Sequence, residues 1–217
     1  MGQRVLVLLG HTDPQSFCAA MAARYAEAAH AAGHEIRRLD LAALNFDPVL
    51  HLGYRQRQTL EPALETVRAD LLWADHLVIV FPIWWGAAPA RLKGLFDRLL
   101  LPGFAFRYRP GKAMPEPLLA GRTAELLVSM DTPPWYYRWV YRDAGIRQIR
   151  ANVLEFCGIR PVRVWRVGPL ISSSVPQRER WLDQVAARAG QLRTTPGRRH
   201  PTRLNTPAPS EARRTLE

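Results

Sequence analysis

The stretch over residues 77–101, LVIVFPIWWGAAPARLKGLFDRLLL, limits the possible folds more than any other in the chain. Val78-Ile79-Val80 is an apolar β-branched run of the kind that forms a strand buried on both faces. Pro82 ends the run, because it has no N–H to give to a ladder. Trp84, Trp85 and Gly86 then make a bulky loop, with Gly86 tolerant of unusual backbone angles. Pro89 suits a first helical turn, and Leu92, Leu95, Phe96, Leu99 and Leu100 follow at helical spacing. The stretch therefore predicts a strand, a loop and a helix, with two indoles at the strand's carboxyl end. In an open parallel sheet that end is where ligands bind. Indoles offer flat surfaces to a planar ring, and loop amides can meet its heteroatoms. The same pair would also plug a core or a subunit interface.

The rest of the chain repeats this alternation. Residues 4–10 (RVLVLLG), 35–41 (EIRRLDL), 122–130 and 160–167 (RPVRVWRV) read as four further strands. Helices are expected from an N-cap at Ser16 to Ala32 with Gly33 as stop, and over 56–74. Two more are expected over 146–157 with Gly158 as stop, and over 176–192. Five strands separated by helices, with no internal repeat, predict an α/β protein: a three-layer, doubly wound five-stranded parallel sheet. Residues 1–192 make that domain. Residues 193–217 turn to Thr, Pro and Arg with almost no apolar content and are expected to be disordered.

The formal charge of +11 raises nucleic acid or an anionic membrane as partners. From Arg193 onward, however, six arginines face only Glu211 and Glu217, so part of the excess belongs to the tail. The remaining arginines are scattered, and no nucleic-acid motif accompanies them, so no nucleic acid is expected as partner. No stretch approaches the roughly 20 apolar residues of a membrane helix, and the opening residues run straight into a strand. A cytoplasmic protein without stable membrane insertion is the expectation. Cys18 and Cys157 lack metal-ligand spacing and read as buried free thiols.

The loop FPIWWGAAPARLKGLFDR resembles that of the flavodoxin-like NAD(P)H:quinone oxidoreductases, whose pattern is F-P-x-x-W-x-x-x-P-A-x-L-K-x-x-x-D/E-R. Phe81, Pro82, Trp85, Pro89, Ala90, Leu92, Lys93, Asp97 and Arg98 match it. Gly10-His11 and Ser16-Phe17 are similar to the family's G-H-x-x-x-x-S-F phosphate loop, and no G-x-G-x-x-G fingerprint is present. The resemblance spans roughly residues 4–192 and implies the flavodoxin-like strand order 2-1-3-4-5, with the ligand at the switch between strands 1 and 3. It also implies a flavin cofactor, FAD in preference to FMN, and NAD(P)H as electron donor. A quinone or similar small acceptor would be reduced in a ping-pong sequence by a homodimer.

By the same resemblance, the flavin would be held by His11, Ser16, Phe17 and Cys18, by Pro82, Ile83, Trp84, Trp85 and Gly86, and by Asp131 and Thr132. Phe106 and Tyr108, in a segment like the family's P-G-x-A-F, would wall the partner's substrate pocket together with Trp135. After the fourth strand the chain departs from the family's T-T-G-G, Tyr and His. It reads Asp131-Thr132-Pro133-Pro134, and no histidine lies between His76 and His200. Tyr137 stands at the family's tyrosine, and Arg142 is the candidate cation in place of the imidazole. Two other readings are an accessory flavoprotein subunit of a membrane transporter and a basic nucleic-acid-binding module on the same scaffold.

Overall fold

The computed structural model describes residues 2–192; the tail expected to be disordered lies outside the described residues. Five parallel strands form one sheet: β1 (Arg4–Leu9), β2 (Glu35–Asp40), β3 (His76–Pro82), β6 (Thr123–Ser129) and β7 (Val162–Val167). Their order is β2-β1-β3-β6-β7, which in terms of the main strands is the expected 2-1-3-4-5. Every residue of β3 is buried and β1 and β6 nearly so, while β2 and β7 carry the exposed positions of edge strands.

The alternation of side chains splits the core into two layers. Leu6, Leu8, Leu77, Ile79 and Phe81 face one side, against α2 (Pro62–Trp73) and α3 (Ala90–Leu99). Val5, Val7, Leu9, Val78 and Val80 face the other, against α1 (Phe17–Ala31) and α6 (Val175–Gly190). Period-two strands packed between period-3.6 helices account for that division.

Several boundaries differ from expectation for local reasons. The helix expected over 56–74 begins only at Pro62, whose fixed φ and missing N–H suit a first turn. Residues 57–61 are instead non-helical, with Thr59 and Glu61 held against α3. Arg98 is fully buried and donates to both carboxylate oxygens of Glu61 (2.8 and 3.1 Å), to Thr59 O (3.0 Å) and to Asp47 O. A Cβ on Gly94 would lie 2.4 Å from Pro48 Cβ, so that helix position must be glycine for the segment to pack. A short hairpin, β4 (Phe106–Arg107) with β5 (Glu116–Pro117), occupies the proline-rich stretch after α3. A helix α4 (Pro134–Trp139) forms in the stretch read as a loop. The helix read over 146–157 begins at α5 (Ala144–Arg147) and continues as a π-helical stretch, Gln148–Glu155. No helix among the described residues is long and apolar enough to cross a membrane.

Candidate functional site at the carboxyl ends of the strands

The turn after β1 is drawn tightly onto β3. Gly10 N–H donates to Val80 O at 2.7 Å, and a Cβ on Gly10 would meet Leu92 Cδ2 at the same distance. His11 Nδ1 accepts from the Asp13 amide (2.9 Å), and Asp13 Oδ1 accepts from the Gln15 amide (2.8 Å). Ser16 caps α1 as expected: its hydroxyl accepts from the Ala19 amide at 3.2 Å and donates to Asp13 O at 2.7 Å. The amides of Phe17 and Cys18 then have no acceptor within the helix. A half-buried helix start with free N–H groups fits a phosphate.

Cys18 offers that phosphate only its backbone. Its thiol lies in the core, 3.1 Å from Ser129 Oγ, and burial pushes it up to about 12. Phe17 is half-buried and stands edge-on to Trp181 of α6, with ring centroids 6.0 Å apart.

At the end of β3, Pro82 is buried as the last strand residue, and Ile83 donates its amide to Ser129 O at 2.8 Å. Trp84 and Ala87 exchange both backbone hydrogen bonds (2.9 and 3.0 Å) around a tight turn. Its two central residues have positive φ, 49° at Trp85 and 77° at Gly86, the pattern of a type I′ turn. The turn projects Trp85 into solvent, while Trp84 leans edge-on against His11 at 5.2 Å. Burial lowers the His11 imidazole below its ordinary value, with Asp13 opposing.

The loop after β6 braces the same rim. Asp131 Oδ1 accepts from the Ile171 amide at 2.9 Å, tying it to the loop after β7, and Thr132 is half-buried beside it. Pro133 and Pro134 start α4 and contribute no N–H. Tyr137 is completely buried, and its hydroxyl donates to Gly86 O (2.8 Å) and accepts from the Gly145 amide (3.0 Å). Burial is the main cause raising this phenol above its ordinary value. Asp143, adjacent to Arg142, is paired to Arg166 of β7 through Nε at 2.9 Å and through Nη2. Arg142 and Trp135 are exposed.

His11, Ser16, Phe17, Cys18, the residues 82–86, Asp131, Thr132, Trp135 and Tyr137 all lie at or just after the carboxyl ends of β1, β3 and β6, with the Cys18 thiol and Tyr137 in the core. Phe106 and Tyr108 lie elsewhere. Their hairpin follows α3, which carries the chain back toward the amino ends of the strands. Phe106 is buried between Tyr108 and Phe156 (5.6 and 5.0 Å), so Tyr108 is the exposed ring of the pair. Of the three expected wall residues, Tyr108 and Trp135 are exposed, while Phe106 packs in the core. Sequence reasoning missed the Asp143–Arg166 pair and Gly145. The signal available for the first was an arginine in a strand of the central layer, which needs a carboxylate. None announced the second.

Two cavities lie away from this crevice. One, of about 40 Å³, is lined by Leu8, Val67, Leu71, Ile79 and Leu95 in the core. The other, of about 120 Å³, opens beside His76, Thr123 and Arg163 at the amino ends of β3 and β6.

The model of the family described as flavodoxin-like fold matches residues 3–192. NAD(P)H dehydrogenase (quinone) 1 of Rattus norvegicus is 28% identical over 196 residues, covering 76% of this chain and 70% of that protein. Among solved structures, Smu.1420 from Streptococcus mutans UA159 is 30% identical, with a TM-score of 0.76 over 87% of this chain and 100% of that one. The NAD(P)H:quinone oxidoreductase from Methanothermobacter marburgensis has the same fold at 22% identity, with a TM-score of 0.76 over 89% of this chain and 100% of that one.

Proposed function

The chain belongs to the flavodoxin-like fold family, and from that premise we propose that it is a flavin-dependent NAD(P)H oxidoreductase acting on quinones or similar small acceptors. One observation carries the reading. The free amides at the start of α1 and the Trp84–Ala87 turn converge at the ends of β1 and β3, where the His11–Trp84 contact joins them. That is a phosphate cradle beside a platform for a planar ring, at the topological switch point of the sheet.

Ser16, Phe17 and Cys18 hold the flavin phosphate, the last two through backbone N–H groups. Residues 82–86 and Thr132 border the ring. A flavin bound there supplies hydride acceptance from NAD(P)H and delivery of the electron pair to the acceptor. The chain's own contribution is orientation and electrostatics. Tyr137 acts by fixing the Gly86 carbonyl, since both hydrogen bonds of its hydroxyl are already used. Arg142 has no carboxylate partner among the described residues and stands as the cation of the rim. Donor and acceptor share one open crevice, which favours a ping-pong sequence.

A homodimer completes the site, with Tyr108 of a second copy reaching the crevice. Its exposure and its distance from the crevice of its own subunit support this. FAD is preferred over FMN. An absorbance spectrum of the purified protein, with mass analysis of the released cofactor, tests the flavin and its identity. Parallel double-reciprocal plots for NAD(P)H and a soluble quinone test the sequence. A colourless protein that neither takes up flavin nor oxidises NAD(P)H overturns the proposal.

A further inference from the structure

The rim of the crevice continues outward as a band of exposed aromatic residues. Trp135, Trp139, Val140 and Tyr141 are all exposed. The rings touch in sequence. Trp135 stands against Tyr136 at 5.6 Å, Tyr136 against Tyr141 at 5.2 Å, and Tyr141 against Tyr137 at 6.1 Å. Tyr137 in turn is bonded to the turn that carries Trp85.

Charge accompanies the rings. Arg138, Arg142 and Arg147 are exposed, and none has a carboxylate partner among the described residues. Arg138 instead lies over the Trp139 ring at 5.1 Å. The one acid of this stretch, Asp143, is already neutralised by Arg166. Residues 134–147 thus carry three unpaired arginines and no unpaired acid. Trp and Tyr are the residues that settle at the level of lipid headgroups, and unpaired arginines add attraction to anionic lipid.

We propose that this band docks the protein, peripherally and reversibly, on an anionic bilayer surface, with the crevice at the edge of the contact. The proposal rests on the oxidoreductase reading only for its purpose: a crevice held at the headgroup level meets lipophilic quinones as they surface. Binding itself needs no turnover.

The test is co-sedimentation of the flavin-loaded full chain with phosphatidylcholine vesicles, with and without phosphatidylserine, at low and high salt. Binding to the anionic vesicles alone, weakened by salt, is expected. Trp139→Asp should lower it by roughly tenfold, Val140→Asp should lower it too, and Trp139→Phe should largely keep it. Both acidic variants change exposed positions, so reduction of a water-soluble quinone should be unchanged in them. Absence of binding to anionic vesicles overturns the proposal. So does binding insensitive to Trp139→Asp, which would move the contact elsewhere on the chain. A third overturning outcome is sedimentation in which Trp139→Asp splits a dimer, since the band would then belong to a second copy. Failure of the oxidoreductase reading shows separately, as absent turnover of the soluble quinone with vesicle binding intact.

Discussion

The hydroxyl of Tyr137 donates to the carbonyl of Gly86 at 2.8 Å and is completely buried in doing so. One side chain of α4 thereby fixes the turn that presents Trp85, and through the Gly145 amide it fixes the start of α5 as well. Tyr137→Phe leaves a part-buried carbonyl and a buried amide without that partner, a cost of about 1–3 kcal/mol. The expected result is a lower unfolding midpoint together with weaker flavin retention. If Tyr137 only positions the turn, flavin reduction in the unsubstituted protein should show no step between about pH 6 and 9, since burial keeps the phenol neutral throughout, and the profile of flavin retained by Tyr137→Phe should have the same shape. Stopped-flow reduction across that range checks this.

Ser16 tests the phosphate cradle. Ser16→Ala removes the cap and should cost about 1 kcal/mol of stability. Ser16→Glu adds a negative charge where the phosphate would sit, so the variant should fold yet lose its flavin. The ratio of flavin to protein absorbance decides; unchanged flavin content refutes the assignment.

Arg98 should be the most sensitive position on α3. Removing its guanidinium leaves the carbonyls of Asp47 and Thr59 without that donor and the Glu61 carboxylate with only the Asp47 amide, so Arg98→Met should cost about 1–3 kcal/mol. Limited proteolysis should then cut within residues 44–61 before any strand is attacked. Arg98→Lys should rescue little, because a single ammonium cannot form the fork.

Acid should destabilise the fold through its buried histidines. Burial lowers His11, His34 and His76, and takes His76 to about 3. The unfolded chain protonates each near about 6.5, whereas the folded chain resists. For His76 the contribution is therefore complete above about pH 6.5 and lost as pH falls toward about 3, and His11 and His34 act in the same direction. Urea midpoints should drop between about pH 7.5 and about pH 5. His76→Gln should flatten the slope.

The five strands and the Ser16 cap are legible in the sequence because periodicity and capping are local signals, whereas the strand order follows from the family resemblance. Other features depend on partners remote in sequence. The late start of α2 reflects Glu61 held by Arg98 across 37 positions. The helix α4 was read as a loop because Pro133 and Pro134 look like breakers, although proline is well suited to a helix start. The turn at Trp84–Ala87 escaped notice because its first central residue is a tryptophan, where turn chemistry favours Asn, Asp or Gly. Phe106 was assigned to a pocket, but Phe156 claims it for the core.

Trp85 holds a φ of 49°, a backbone region that costs a residue with a side chain about 1–3 kcal/mol. Trp85→Gly should therefore raise the melting temperature, because glycine adopts that angle without strain and nothing is lost from the core. A sturdier protein lies one substitution away from this sequence, at a site where the indole contributes nothing to packing. Selection for durability alone would favour the glycine, so the tryptophan at this position marks the direction in which the molecule meets other molecules.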